Sequence, residues 1–135
     1  MRFLITGGAG FIGSNFIRHL IATRPSASVV NLDVLTYAAA PVTIAEQAQL
    51  PRYRLVQGDI CDEDLVEQLV ADADIVVNFA AESHVDRSIA GPGVFVRTNV
   101  LGTAVLLDAA RRHGVERFIH VSTDEVYGPV LAGAA

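Results

Sequence analysis

The opening of the chain, MRFLITGGAGFIGS, constrains it most: a short apolar run breaks on glycines and resumes with a different period. Phe3, Leu4 and Ile5 have strand propensity and are bounded by Gly7 and Gly8, which suits an internal parallel strand covered on both faces. From Ile12 to Thr23 the spacing of Ile12, Phe16, Ile17, Leu20 and Ile21 puts apolar residues on one helical face, and Arg24-Pro25 ends the run. A strand, a glycine turn and a helix in that order predict one half of a parallel α/β layer.

Gly8, Gly10 and Gly13 satisfy G-x-G-x-x-G, and Gly7 adds the G-x-x-G-x-x-G variant. The first glycine permits a tight turn, the middle one lets a pyrophosphate approach the backbone, and the last lets the helix pack on the sheet. The first N–H groups of that helix would then face an anion. Glycine triplets also occur in ordinary turns, so the context decides. A second strand, Ser28 to Leu32, ends at Asp33, about 20 residues past Gly13, where an acid accepts hydrogen bonds from ribose hydroxyls. A carboxylate there repels a 2′-phosphate, which points to NAD rather than NADP. An acid that merely caps a strand end is the competing reading.

Composition narrows the classes. One domain fits 135 residues, and an apolar share of 51% suits a sheet buried on both sides. The net charge of −5, with no lysine and no basic cluster, argues against nucleic acid as a partner. No apolar run reaches the ~20 residues of a membrane span, and no secretory pattern precedes the first strand. The single Cys61 excludes an internal disulfide, fits a reducing cytoplasm and is expected beside the third strand as a small hydrophobe. No metal site is expected, since no ligand spacing is present.

The rest of the chain alternates. Thr43 to Leu50 reads as a short helix, Arg52 to Gln57 as a third strand, and Glu63 to Val70 as a helix capped by Asp62. Asp74 to Phe79 is a fourth strand. Ala80 to Pro92 is a loop rich in binding side chains, among them Asp86 and Arg87. Val94 to His113 is a long helix stopped by Gly114, and Arg117 to Ser122 is a fifth strand opening into a loop, Thr123 to Gly128. This is a Rossmann-like doubly wound parallel sheet with right-handed crossovers and the expected order 3-2-1-4-5. The winding reverses between strands one and four, so the glycine turn, the Ala80 loop and the Thr123 loop should face one crevice.

Asp124 and Glu125 are adjacent, with Thr123 before them. Neighbouring carboxyls in a half-closed crevice can be driven to different pKa values, one an acid and the other a base. A solvated acidic loop after a strand has the same spacing. His84 could contact a phosphate or a hydroxyl, or be satisfied by its own neighbours.

Together these motifs resemble the extended short-chain dehydrogenase/reductase family, and within it the nucleotide-sugar 4,6-dehydratases typified by dTDP-glucose 4,6-dehydratase. The segments are TGGAGFIGS at 6 to 14, LDVLTYA at 32 to 38, GDICD at 58 to 62, AAESHVDRSI at 80 to 89, TNVLGT at 98 to 103 and STDEVYG at 122 to 128. The resemblance implies tightly held NAD, a nucleotide-sugar substrate (dTDP-glucose first) and a homodimer formed through helices such as Val94 to His113. It implies that Gly7, Gly10, Phe11, Ile12 and Gly13 lie along the pyrophosphate, Asp33, Val34, Leu35 and Thr36 along the adenosine ribose, and Asp59 and Ile60 beside adenine. Phe79, Ala80, Ala81, Glu82, Ser83 and Thr98 would line the nicotinamide side. Ser83, His84 and Thr123 would reach the sugar. Glu125 would match the base at C5, and Asp124 the acid at the C6 hydroxyl. The family's tyrosine, with a lysine four residues later, is not found here, since the chain holds no lysine. The expectation is therefore an incomplete NAD-binding Rossmann domain spanning 1–135, without the last strands and the substrate domain. A 4-epimerase or reductase of the same superfamily, or a non-catalytic NAD-binding module, shares the glycine motif.

Overall fold

The computed structural model describes residues 1–37, 39, 45–84, 89 and 91–128. Five parallel strands form one sheet: β1 (Arg2–Thr6), β2 (Ser28–Asp33), β3 (Tyr53–Gln57), β4 (Ile75–Asn78) and β5 (Arg117–His120). Their order is β3-β2-β1-β4-β5, as the sequence predicts. Helices α1 (Phe11–Thr23), α2 (Glu63–Val70) and α3 (Pro92–His113) make the crossovers.

Side chains alternate across each strand, which is why the central strands read as unbroken apolar runs. Phe3 and Ile5 of β1 and Ile75 and Val77 of β4 face α1, where Ile17, Leu20 and Ile21 complete one core. Leu4 and Val76 face the other way, against Val66 and Val70 of α2 and Val105, Leu106 and Ala109 of α3. Each such side chain, fully buried, contributes about 1.5–3 kcal/mol. Between α1 and β5 an open groove is lined by Phe3, Phe16, Leu20, Val77 and Ile119 and rimmed by His19, Arg24, Glu116 and Arg117.

Helix ends follow local chemistry. The Asp62 carboxylate accepts from the Leu65 N–H at 3.1 Å, and Glu63 and Asp64 occupy the first turn of α2, where acids complement the helix dipole. Gly114 closes α3 at φ 64°, with Arg111, Arg112 and His113 in the last turn.

Several expectations are corrected. Of the helix expected over 43–50, residues 43 and 44 lie outside the described residues, and the remainder holds only a single 3-10 turn, Gln47–Gln49. The Thr123 loop contains a 3-10 turn, Asp124–Tyr127. β4 starts after Asp74, whose carboxylate instead accepts from the Arg2 backbone N–H at 2.7 Å and from its guanidinium at 2.8 Å. The Ala80 loop residues 85–88, including Asp86 and Arg87, lie outside the described residues. α3 contains an 18-residue window of mean hydropathy 1.3, long and apolar enough for a membrane span by length and composition only. Its inner face is docked on α2 and the sheet.

The middle of α3 is not α-helical. Val96–Gly102 is a π-helical stretch, and Cys61, expected as an inert hydrophobe, donates its thiol to the Arg97 carbonyl at 3.3 Å. A side chain meeting the hydrogen-bond ladder at that rung accounts for the wide turn. Gly102 permits the approach, since a Cβ there would lie 2.5 Å from Ile60.

Candidate functional site

Parallel pairing brings the carboxyl ends of all five strands to one edge. There the chain leaves β1 through Gly7, whose φ is 68°; a Cβ on it would stand 2.6 Å from the backbone N of Ala80. The glycine turn therefore touches the end of β4. Its Gly8 N–H donates to Asn31 Oδ1 at 3.0 Å, and Asn31 Nδ2 donates to Tyr53 Oη at 2.9 Å, all buried beneath the turn. Burial pushes the Tyr53 phenol up, against the Asn31 N–H, which donates to its oxygen and pulls it down.

Asp33 ties the turn from the side. One carboxylate oxygen accepts from the Ala9 N–H at 2.9 Å and the other from the Leu35 N–H at 2.8 Å. Leu35 is the one non-glycine residue at positive φ (57°) among the described residues, so the carboxylate holds a strained backbone. The two readings of Asp33 meet here, because the same side chain caps the strand end and lines the groove. At the start of α1, Gly10 is the N-cap with no side-chain bond, and the first turn carries no acid. The first N–H groups of α1 are thus uncapped by any side chain, which is what an anion site needs.

These parts open on a groove of about 260 Å³. Of the residues expected at a cofactor, Gly7, Gly10, Asp33, Val34, Thr36, Asp59, Ile60, Phe79, Ala80, Ala81, Glu82 and Thr98 line it. Phe11, Ile12, Gly13, Leu35 and Ser83 do not. Phe11 and Ile12 point outward, 82% and 62% exposed, leaving only their backbone for the groove. Gly13 is buried behind the turn, the Leu35 side chain packs on the core beneath α1, and Ser83 is exposed. His84 is exposed too, its ring 6.3 Å from that of Tyr37.

Sequence reasoning missed Leu32, Ala39, Gly58, Val94 and Arg97, which also line the groove. Helical spacing carried a signal for two of them: Val94, Arg97 and Thr98 stand at i, i+3 and i+4 of α3 and share a face. Arg97 Nη2 donates to Asp59 Oδ2 at 3.0 Å, and the Cys61 N–H donates to Asp59 Oδ1 at 2.8 Å. Burial pushes the Asp59 carboxyl up, but the Cys61 amide and the Arg97 guanidinium outweigh it and hold it below the usual carboxylate range. Burial, reinforced by the Asp59 charge, pushes the Cys61 thiol up. Asn99 clamps the far wall, donating to the Glu82 carbonyl at 2.8 Å and accepting the Glu82 N–H at 2.9 Å.

A polar row crosses the sheet just below the loops. Thr6, Asn78 and His120 stand in register on β1, β4 and β5. The Thr6 hydroxyl donates to Asn78 Oδ1, the Ala80 N–H donates to the same oxygen at 3.1 Å, and Asn78 Nδ2 lies 3.1 Å from His120 Nδ1. The row links the base of the glycine turn to the base of the Thr123 turn.

The half-closed crevice expected around the acid pair is not formed by the described residues. Thr123 and Asp124 are exposed and do not line the groove, and among the described residues β5 pairs with β4 alone. The Thr123 hydroxyl donates to Asp124 Oδ1 at 3.2 Å. The Glu125 backbone continues the 3-10 turn, and its side chain lies outside what is described.

Residues 4–134 match the family described as GDP-mannose 4,6 dehydratase. A dTDP-glucose 4,6-dehydratase of Streptomyces niveus is 56% identical over 99% of this chain and 41% of its own length. One from Mycobacterium tuberculosis is 55% identical over 95% of this chain and 38% of its own. The crystal structure of a Streptomyces venezuelae dTDP-glucose 4,6-dehydratase with NAD bound superposes with a TM-score of 0.93 at 52% identity, over 98% of this chain and 42% of that one. A UDP-glucose 4-epimerase of Thermotoga maritima is more distant, at 30% identity and a TM-score of 0.82, over 97% of this chain and 41% of that one. The chain thus spans about two fifths of the length of these relatives.

Proposed function

Since this chain belongs to the family described as GDP-mannose 4,6 dehydratase, we propose that it is the NAD-binding part of a nucleotide-sugar 4,6-dehydratase whose substrate is dTDP-glucose. The observation that carries the cofactor is that Gly10, the N-cap of α1, the Cβ-free Gly7 and the Asp33 carboxylate share one groove. Gly10 and the first N–H groups of α1 hold the diphosphate. Asp33, braced by two backbone N–H groups, keeps lone pairs for the adenosine ribose hydroxyls and repels a 2′-phosphate. Val34, Leu35 and Thr36 flank that ribose, Asp59 and Ile60 meet adenine, and Phe79 to Ser83 with Thr98 border the nicotinamide side.

When bound, NAD supplies the hydride exchange that makes C4 a ketone and C6 a methyl group. The residues of this chain handle the water that leaves between those events. Glu125 takes the C5 proton, made acidic by the neighbouring ketone, while Asp124 gives its proton to the C6 hydroxyl, which departs as water. Thr123, bonded to Asp124, Ser83 and His84 orient the sugar. The product is a 4-keto-6-deoxy nucleotide sugar. The full protein works in the cytoplasm as a homodimer, with the exposed Val96, Val100 and Leu107 of α3 facing a second copy. The acidic balance speaks against nucleic acid as a partner.

The test uses a version continued to the length of the relatives. Glu125→Gln is expected to lower formation of the 4-keto-6-deoxy sugar by about 10²- to 10⁴-fold. Unchanged formation by Glu125→Gln would overturn Glu125 as the base, and a wild type that epimerises C4 without forming that product would overturn the dehydratase reading.

A further inference from the structure

One end of the groove has an ionic wall whose makeup decides what it can hold. Asp33, Asp59 and Glu82 line the groove, and Arg97 is the one cation among its described lining residues. A lone cation in such a place would be a phosphate hook, but this one is already neutralised. Its Nη2 is 3.0 Å from Asp59 Oδ2, and Asp59 is itself fixed through Oδ1 by the Cys61 N–H. The Arg97 backbone is held as well, since its carbonyl accepts the Cys61 thiol. A guanidinium bonded through Nη2 and anchored at its main chain is kept at the groove wall. Beside it lie Gly58 and Ile60, the latter only 4% exposed. A flat, charge-compensated group next to an apolar floor suits stacking on a flat ring better than it suits an anion. The anion-binding features, Gly10 and the uncapped start of α1, belong to another element of the groove.

We propose that Arg97 is a specificity-determining residue: its guanidinium, locked edge-on by Asp59, is the stacking face for the heteroaromatic base of the groove's ligand. The inference rests on the reading that the groove takes a dinucleotide. It makes a distinction that charge alone does not make, because lysine keeps the charge and loses the plane.

The experiment is calorimetric titration of the chain with ADP and, separately, with inorganic pyrophosphate, for the wild type, Arg97→Lys, Arg97→Gln and Asp59→Asn. Circular dichroism verifies that each variant is folded; Arg97 is exposed and its backbone bond to Cys61 survives substitution. Arg97→Lys and Arg97→Gln are both expected to weaken ADP about fivefold and to leave pyrophosphate unchanged. Asp59→Asn, which frees the guanidinium edge, is expected to weaken ADP as well. ADP binding by Arg97→Lys at wild-type strength would overturn the proposal, as would an equal loss of ADP and pyrophosphate, the mark of a phosphate hook. A wild-type chain that binds neither probe would overturn the dinucleotide reading and this inference with it. Wild-type binding of both, with ADP unaffected in the variants, would overturn this inference alone.

Discussion

The two ends of the carboxyl edge are built in opposite ways. At the glycine turn the polar groups are sunk in the fold: Thr6, Ser14, Asn31 and Asn78 are fully buried, and the side-chain bonds of Asn31 and Asp33 hold the turn from below and from the side. At the end of β5 the chain lies on the surface, with Val126 68% and Tyr127 89% exposed and Thr123 bonded to its own neighbour. An anion cradle is made of backbone, so the packing of its own strands and helix preforms it. Side chains that exchange protons take their environment from whatever lies over them, and at a sheet edge the strands supply little of it. Stability and chemistry should therefore come apart along this edge.

The largest expected effect lies at the buried end. Gly7→Ala must place a Cβ 2.6 Å from the Ala80 backbone at a φ of 68° that side chains rarely adopt. Strain and overpacking together should cost about 3 kcal/mol or more, read as a lower midpoint in urea unfolding. A loss no larger than that of a surface substitution would mean that the turn and β4 are not in the contact described.

How far the sequence reached follows the same division. The strands, α1, α2 and the sheet order were legible because apolar periodicity and glycine placement are local signals. Asp62 as a cap and Gly114 as a stop were legible for the same reason. The π-helical stretch was not, because Val96–Gly102 reads as ordinary helix and its wide turn depends on Cys61, distant in sequence. Arg97 was hidden behind that: its pairing with Asp59 spans 38 residues. The described residues do not enclose Asp124, and adjacency in sequence says nothing about what covers the end of a strand.

The next effect tests the struts under the turn. Asp33→Asn replaces one acceptor oxygen by an N–H₂ facing a backbone donor, and Asn31→Ala leaves the Gly8 N–H without its buried acceptor. Each should cost about 1–3 kcal/mol in the same unfolding measurement. Asn31→Ala should also weaken NAD, although Asn31 does not line the groove. Unaltered affinity would show that the turn holds its shape without the strut.

A smaller effect comes from pH. Asp59 is held low by the Cys61 amide and Arg97 against its burial, Glu67 by Arg112 and His113, and Asp74 by Arg2. A carboxylate whose folded pKa is depressed adds stability that is complete above its ordinary value and is lost as pH falls through the folded one. Stability should therefore be level near neutrality and decline as pH falls below the ordinary values, 4.5 for Glu67 and 3.8 for Asp59 and Asp74. The side chains of Asp59, Glu67 and Asp74 are 40%, 37% and 32% exposed, enough for solvent screening to keep each contribution small. Arg97→Gln should shallow the acid decline by removing the Asp59 part. A decline as steep as that of the wild type would show that the Cys61 amide alone sets Asp59.

The smallest expected effect is the most informative, because it isolates the open end. Asp124→Asn removes an exposed charge and keeps an oxygen to accept the 3.2 Å bond from Thr123. Surface changes of this kind fall within about 0.5 kcal/mol, so unfolding midpoints of the chain should barely move. If Asp124 is the acid proposed above, then in a protein of the relatives' length Asp124→Asn should lower turnover with stability unaltered. Kinetics and urea unfolding on the same preparation separate the two. If Asp124→Asn instead costs more than about 1 kcal/mol in the chain alone, the turn after β5 is held as firmly as the glycine turn. The contrast between the ends of the edge would then be one of exposure and not of construction.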